Sequence, residues 1–303
     1  VQVATATIHV TTDEAGQVLI EYGTSPGGPY DQQNGLSGED TEYQIMLVGL
    51  QENTTYSFRV TATDETGNQT TDDNGGQGYT FQTLEKIDYF TEYFSSGGFD
   101  MGLTSLLLIP NGSSDYYQAG TGSATSFPTD PAGGQVLALG DDAAQSVSLG
   151  SGQTVSLYGT AYSGFYVSSN GMITFHSEEI AFLTELGTHF SQPMISPLYV
   201  DLDPSSGGTV SYKQTSDRIA VTFQGVPEYD STNSNNFQVE MFFDGAIRIT
   251  WLGVDATQCI SGISQGLGTP TGFDESDLSA YAAFFSGVQD LDFSGGQTNG
   301  YQS

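Results

Sequence analysis

The side chains best suited to chemistry in this sequence are carboxylates. Asp201 and Asp203 flank Leu202 and precede Pro204-Ser205-Ser206-Gly207-Gly208; Asp72-Asp73 lead into Asn74-Gly75; Asp141-Asp142 follow Gly140. In an extended chain, residues two apart project to the same side, so Asp201 and Asp203 can aim at one point. The turn after them exposes carbonyl oxygens. Ca2+ takes about six to eight such hard oxygens from carboxylates, amides and carbonyls. Ca2+ is therefore the expected cofactor, with Asp201 and Asp203 first and Asp72, Asp73, Asp141 and Asp142 next. No EF-hand loop is present, and the competing reading of each pair is a solvated acidic turn.

Other chemistries have weaker support. Glycoside hydrolysis needs two carboxylates facing across a cleft, one with a raised pKa. Acids are plentiful, including Asp274-Glu275, Asp277, Asp290 and Asp292, but spacing alone does not set any two face to face. Gly262-Ile263-Ser264-Gln265-Gly266 matches the nucleophile-elbow pattern, which works only on a strand-to-helix turn above a parallel sheet. No alternating strand–helix pattern surrounds it. His9, His176 and His189 show no metal-ligand spacing, and the lone Cys259 reads as a small buried hydrophobe, with an intermolecular disulfide as the alternative. No catalytic set emerges, and the chain is read as not an enzyme.

The charge balance narrows the partners. Of 303 residues, 36 are Asp or Glu and only five are Lys or Arg, a net charge of −31. Such a surface cannot neutralise phosphates, so nucleic acid is excluded as a partner, and so is an anionic membrane surface. No apolar run of 18 residues exists, so no helix should span a membrane. Three sequons, at Asn53, Asn68 and Asn111, mark candidate glycosylation sites in a secreted protein. The chain begins at Val1 without a signal-like segment, as expected of a processed part of a longer precursor.

The elements that must position these residues read as strands. Composition is 37% hydrophobic and 12% aromatic with 39 glycines, which suits strands and turns in an all-β fold. Tyr56, Phe58, Val60 and Ala62 alternate with polar residues, as on one face of a strand. Ser169-Asn170-Gly171 and Asp244-Gly245 are hairpin signals. One helix is expected, over 178–189. The organisation is a sandwich over 1–85, a linker over 84–90, a larger β-rich domain over 86–285, and a Gly/Ser-rich tail over 286–303. That tail reads as disordered linker or as a strand that pairs with a neighbouring subunit's sheet edge.

Residues 50–64, Leu50-Gln51-Glu52-Asn53-Thr54-Thr55-Tyr56-Ser57-Phe58-Arg59-Val60-Thr61-Ala62-Thr63-Asp64, resemble the late-strand signature of fibronectin type III domains. The resemblance covers about 4–83 and implies a β-sandwich with Tyr56 as its corner tyrosine. Two features depart from it. The usual core Trp is missing, with Ile8 in its place, and the first strand is short or missing. Further on, Ile195 to Asp203, Gly208 to Tyr212, Ile219 to Pro227, Asn235 to Glu240, Asp244 to Ile249 and Gly262-Ile263-Ser264 resemble, in order, the nidogen-like extracellular domain. Together they resemble modules of very large secreted surface proteins from marine planctomycete-type bacteria. These resemblances imply a secreted, cell-surface location and an adhesive or matrix role. The expected function is a non-catalytic structural or adhesive subunit that assembles with itself or with other surface proteins. The alternative is a carbohydrate-binding accessory module of a secreted hydrolase, with polysaccharide held by exposed tyrosines such as Tyr116 or Tyr117.

Overall fold

A computed structural model describes residues 1–38 and 40–284; the tail expected over 286–303 lies outside the described residues. The protein is all-β, as the composition implies, and it divides into two compact units, Val1–Ile87 and Asp88–Ser303.

The first unit holds seven strands: Thr5–Thr11 (β1), Gly16–Gly23 (β2), Gln32–Gly38 (β3), Glu42–Val48 (β4), Thr55–Asp64 (β5), Gln69–Asp72 (β6) and Tyr79–Gln82 (β7). β1 pairs with β4 to form one sheet; the other runs β3-β2-β5-β6, with β7 also pairing with β5. Their inner faces meet in a core of Ala6, Val18, Ile20, Tyr43, Ile45, Leu47, Leu50 and Tyr56. Alternation explains the burial. In β4, Tyr43, Ile45 and Leu47 are buried while the residues between them are exposed. Tyr56 is the second residue of β5, and its hydroxyl accepts the Gln51 amide at 2.9 Å, which fixes the turn between β4 and β5.

The second unit begins within the expected linker. Phe90 is buried and its carbonyl accepts the Ile263 amide, so the chain is already structural there. Its strands are Thr91–Phe94 (β8), Thr104–Pro110 (β9), Tyr117–Ser123 (β10), Gln135–Leu137 (β11), Ala144–Ser148 (β12), Val155–Leu157 (β13), Thr160–Tyr162 (β14), Gly164–Ser168 (β15), Ile173–Thr174 (β16), Pro193–Tyr199 (β17), Thr209–Gln214 (β18), Arg218–Val226 (β19), Asn235–Phe242 (β20), Ile247–Val254 (β21) and Cys259–Gln265 (β22). A seven-stranded sheet runs β10-β9-β21-β20-β19-β18-β11 and a six-stranded sheet runs β12-β15-β16-β17-β22-β8; β13 and β14 form a separate hairpin. One continuous core draws on both large sheets, with Leu106, Ile219, Val239 and Trp251 from the first and Val167, Ile195 and Ile263 from the second. The Trp251 indole N–H donates to the Pro197 carbonyl at 2.7 Å, tying β21 to β17. The expected Asp244-Gly245 hairpin joins β20 to β21, with Gly245 at a φ of 98°.

The helix expected over 178–189 shrinks to a single turn, Leu186–His189 (α1). The upstream carbonyls are engaged elsewhere: those of Ile180 and Ala181 accept from the Asn170 amide, and that of Leu183 accepts from the Tyr199 hydroxyl. Carbonyls committed to distant donors leave no i→i+4 ladder to propagate.

Candidate metal centre

Sheet order places the acids. β12 is antiparallel to β15, so Asp141 and Asp142, just before β12, lie at the end where β15 turns into β16 through Ser169-Asn170-Gly171. β16 in turn pairs with β17, and Asp201 follows the far end of β17. Three loops therefore share one end of the sheet. The carboxylates of Asp141, Asp142 and Asp201 converge, one oxygen from each, within 4.8 Å of one another.

Asn170 is the clamp. It is fully buried; its side-chain amide donates to Asp142 Oδ1 at 2.8 Å, and its Oδ1 accepts the Leu202 amide at 3.0 Å. The Ser169 backbone and side chain bind Ala143, which holds the 141–143 loop against the same turn. Gly171 is required here: a Cβ would sit 2.0 Å from the Leu198 carbonyl oxygen, and its φ is 70°. Sequence reasoning read 169–171 as a hairpin turn alone. A buried Asn needs partners on both sides of its amide, which was the missed signal.

The centre's electrostatics are those of crowded acids. Loss of solvent, then repulsion from Asp142, Asp141, Asp203 and Glu228, raises the Asp201 pKa to about 6. Asp141 is raised by the same two causes, desolvation first and then its neighbours Asp142 and Asp203. Asp203 behaves oppositely. Its oxygens accept from the Ser205 and Ser206 hydroxyls and the Ser205 amide, which lowers its pKa and engages its lone pairs in its own turn. Asp203 thus contributes charge beside the centre, while the three converging oxygens belong to its neighbours.

The other expected acids lie elsewhere. Asp72 accepts from the Asn74 amide and the Tyr79 hydroxyl, and Asp73 accepts from the Gly76 amide; both brace the 72–78 turn in the first unit. Ser264 lies within β22, buried between antiparallel neighbours, so the G-x-S-x-G match does not form an exposed elbow. Cys259 is fully buried and its thiol is pushed up to about 12 by desolvation. His189 is buried between Thr91 and Ser196 hydroxyls, and burial lowers its pKa to about 3, which keeps it neutral. His9 and His176 are exposed, as are Asn53, Asn68 and Asn111. Tyr117 is not the exposed platform expected of it. It is buried, its hydroxyl accepts the Tyr158 amide, and the Tyr116 ring packs edge-on against Tyr117 and tilted against Tyr158.

A family model described as NIDO related matches residues 116–286. The chain belongs to the NIDO-related family. The matched stretch holds all three converging acids and Asn170. No curated protein and no solved structure matches the chain. Among the described residues, no helix is long and apolar enough to cross a membrane.

Four of the five basic side chains make contacts within the chain. Glu240, fully buried in β20, takes Arg248 on one carboxylate oxygen and Arg218 on the other at 3.1 Å, with the Thr129 hydroxyl at 2.6 Å. Arg59 forms a two-pronged pair with Glu21 on the first unit, and the Lys213 ammonium donates to the Asp130 and Ala132 carbonyls. These contacts leave the −31 charge largely uncompensated at the surface.

Proposed function

We propose that this protein is a secreted, non-catalytic structural or adhesive subunit of a cell surface or matrix, which assembles with itself through Ca2+-dependent contacts. The observation that carries this reading is the convergence of Asp141, Asp142 and Asp201 on a molecule with a net charge of −31, whose three arginines are each paired with its own acids. Three carboxylates aimed at one point repel one another, and a divalent cation removes that cost while lowering the repulsion between subunits. Asp141, Asp142 and Asp201 would hold the ion, with carbonyls and water completing its coordination. The NIDO-related domain supports an extracellular setting.

The first unit is read as a fibronectin type III module. Strand order β3-β2-β5-β6 against the β1-β4 sheet, and the Tyr56 hydroxyl turned back on Gln51, support that assignment. Among the described residues β1 pairs with β4 alone, and β1 is the edge that the first strand of such a module would pair with. Burial of Tyr117 counts against a polysaccharide platform at that place.

Light scattering of the intact chain with Ca2+ and then with excess chelator tests the proposal. A large species in Ca2+ that shrinks with chelator is expected, with electron microscopy showing order. A monomer in both conditions would sink it.

A further inference from the structure

β10 and β11 are the two edge strands of the seven-stranded sheet, so residues 124–134, which connect them, must cross its whole width. They do so on the face away from the core. Phe237 and Val239 of β20 point into the core, and Gln238 and Glu240 alternate with them toward the connector. β20 is the central strand of that sheet, and Thr129 is the connector residue seated on it. Just beyond, the Lys213 ammonium holds the Asp130 and Ala132 carbonyls.

The contacts at Thr129 are those of a nucleophile beside an acyl group. Its hydroxyl donates at 2.6 Å to Glu240 Oε1, a carboxylate placed to take the proton. Arg218 and Arg248 pair with that carboxylate and fix its position. The Gln238 carboxamide lies along the backbone of the same threonine. Its Oε1 accepts the Thr129 amide at 3.0 Å, and its Nε2 donates to the Thr129 carbonyl at 2.8 Å. Nε2 also donates to the Thr222 hydroxyl at 2.7 Å, which locks the carboxamide in place. The amide on Oε1 polarises the acyl carbon, as in an oxyanion hole. Arg248 Nη2 is buried and, among the described residues, has no hydrogen-bond partner. An orphaned cationic donor favours negative charge developing near it. Thr129, Thr222, Gln238, Glu240 and Arg248 are all buried, so water is kept from the group.

We propose that Thr129 and Gln238 join in an ester bond, which the chain makes on itself once folded. Glu240 takes the hydroxyl proton as Thr129 Oγ1 attacks Gln238 Cδ. The charge that develops on Oε1 is met by the Thr129 amide. The Cδ–Nε2 bond then breaks, Glu240 passes its proton to the departing nitrogen, and ammonia leaves. One C–O bond replaces one C–N bond, nothing is oxidised, and Glu240 returns to its starting state. Fixed geometry supplies the rate, since held reactants reach effective concentrations of about 10⁵ M and above. Exclusion of water protects the product from hydrolysis, and escape of ammonia makes the step one-way. The bond would tie the connector to the middle of the sheet, between residues 109 apart in sequence. It requires neither Ca2+ nor assembly, and it is a single self-modification instead of turnover of a substrate.

The intact mass of the full chain, measured in denaturant, tests this bond. The parent should be lighter than its sequence by one ammonia. Proteolysis should yield one branched peptide that joins the Thr129 and Gln238 segments and that hydroxylamine splits. Thr129→Val keeps the backbone contacts with Gln238 but removes the nucleophile, so it should show the full sequence mass. Thr129→Ser should restore the loss, and circular dichroism checks that both variants fold. A parent chain at full sequence mass would overturn the ester without any variant. So would an ammonia loss that persists in folded Thr129→Val, or that maps to Thr222 or to an Asn-Gly pair such as Asn111-Gly112, where succinimide formation also releases ammonia.

Discussion

The two units solve the same problem at different degrees of completeness. The second closes its core between a seven-stranded and a six-stranded sheet, and its largest side chains, Trp251, Phe223 and Phe237, are shut away from water. The first has a two-stranded sheet over a five-stranded one, and part of its inward face stays half-open. Apolar area removed from water drives both, so a side chain of the same type should matter more in the closed unit. A core that is complete serves as scaffold for a site, as at Asn170.

The sharpest way to break this comparison is to cut the two cores. Trp251→Ala removes a fully buried indole and strands the Pro197 carbonyl, and should cost about 3–5 kcal/mol in the second unit. Val60→Ala, at the half-open face, should cost about 1 kcal/mol or less in the unassembled chain. Denaturant unfolding followed separately for each unit reads both. A Val60→Ala cost in the monomer equal to that of a sealed core valine would mean that the face is closed and the comparison wrong.

A smaller effect is expected at the clamp. Asn170→Ala leaves the Leu202 amide and Asp142 without their shared partner and opens the 178–184 segment, whose carbonyls it holds. Leaving buried polar groups unpaired costs about 1–3 kcal/mol. The informative readout is Ca2+ itself. Calorimetry should show Ca2+ binding weakened far more than by Asp73→Asn in the first unit, where the carboxylate only braces its own turn. Equal effects would deny that Asn170 organises the acids.

What the sequence made legible follows from range. Period-two alternation in β4 and β5, the Asp244-Gly245 hairpin and the acidic pairs are local features, written within a few residues. The meeting of Asp141 and Asp142 with Asp201 is not local: it depends on β12, β15, β16 and β17 lying side by side, and no spacing between residues 142 and 201 encodes that order. Local signals also misled where a distant partner outbid them. The 178–189 segment has helical content, yet Asn170 and Tyr199 take its carbonyls. Tyr116-Tyr117 resembled a binding platform, because an aromatic pair looks the same in a core as on a surface until its strand is placed. Asp203 failed to join the converging oxygens because serines two and three residues on reach it first.

The smallest effect separates charge from fold at the centre. The folded state holds the Asp201 proton more tightly than the unfolded chain, since its pKa rises from 3.8 to about 6. Between those values the native state binds more protons, so in chelator this group's contribution to stability is present at low pH and lost as pH rises from about 4 to 6. Glu92, raised to about 7 by desolvation, acts in the same direction, so the parent chain should decline over both ranges. His189 acts oppositely: the unfolded chain takes up a proton below about pH 6.5 while the buried ring does not, so its contribution is lost as pH falls. Asp201→Asn removes only the first of these. In chelator at pH 7.5 it should raise the melting temperature of the second unit by a few degrees, at about 2–4 °C per kcal/mol, and flatten the decline between pH 4 and 6. In Ca2+ the sign should reverse, because the parent carboxylate then has a cation to bind and the amide offers it a weaker ligand. The same sign in both conditions would make Asp201 an ordinary crowded acid and remove the centre from the molecule's function.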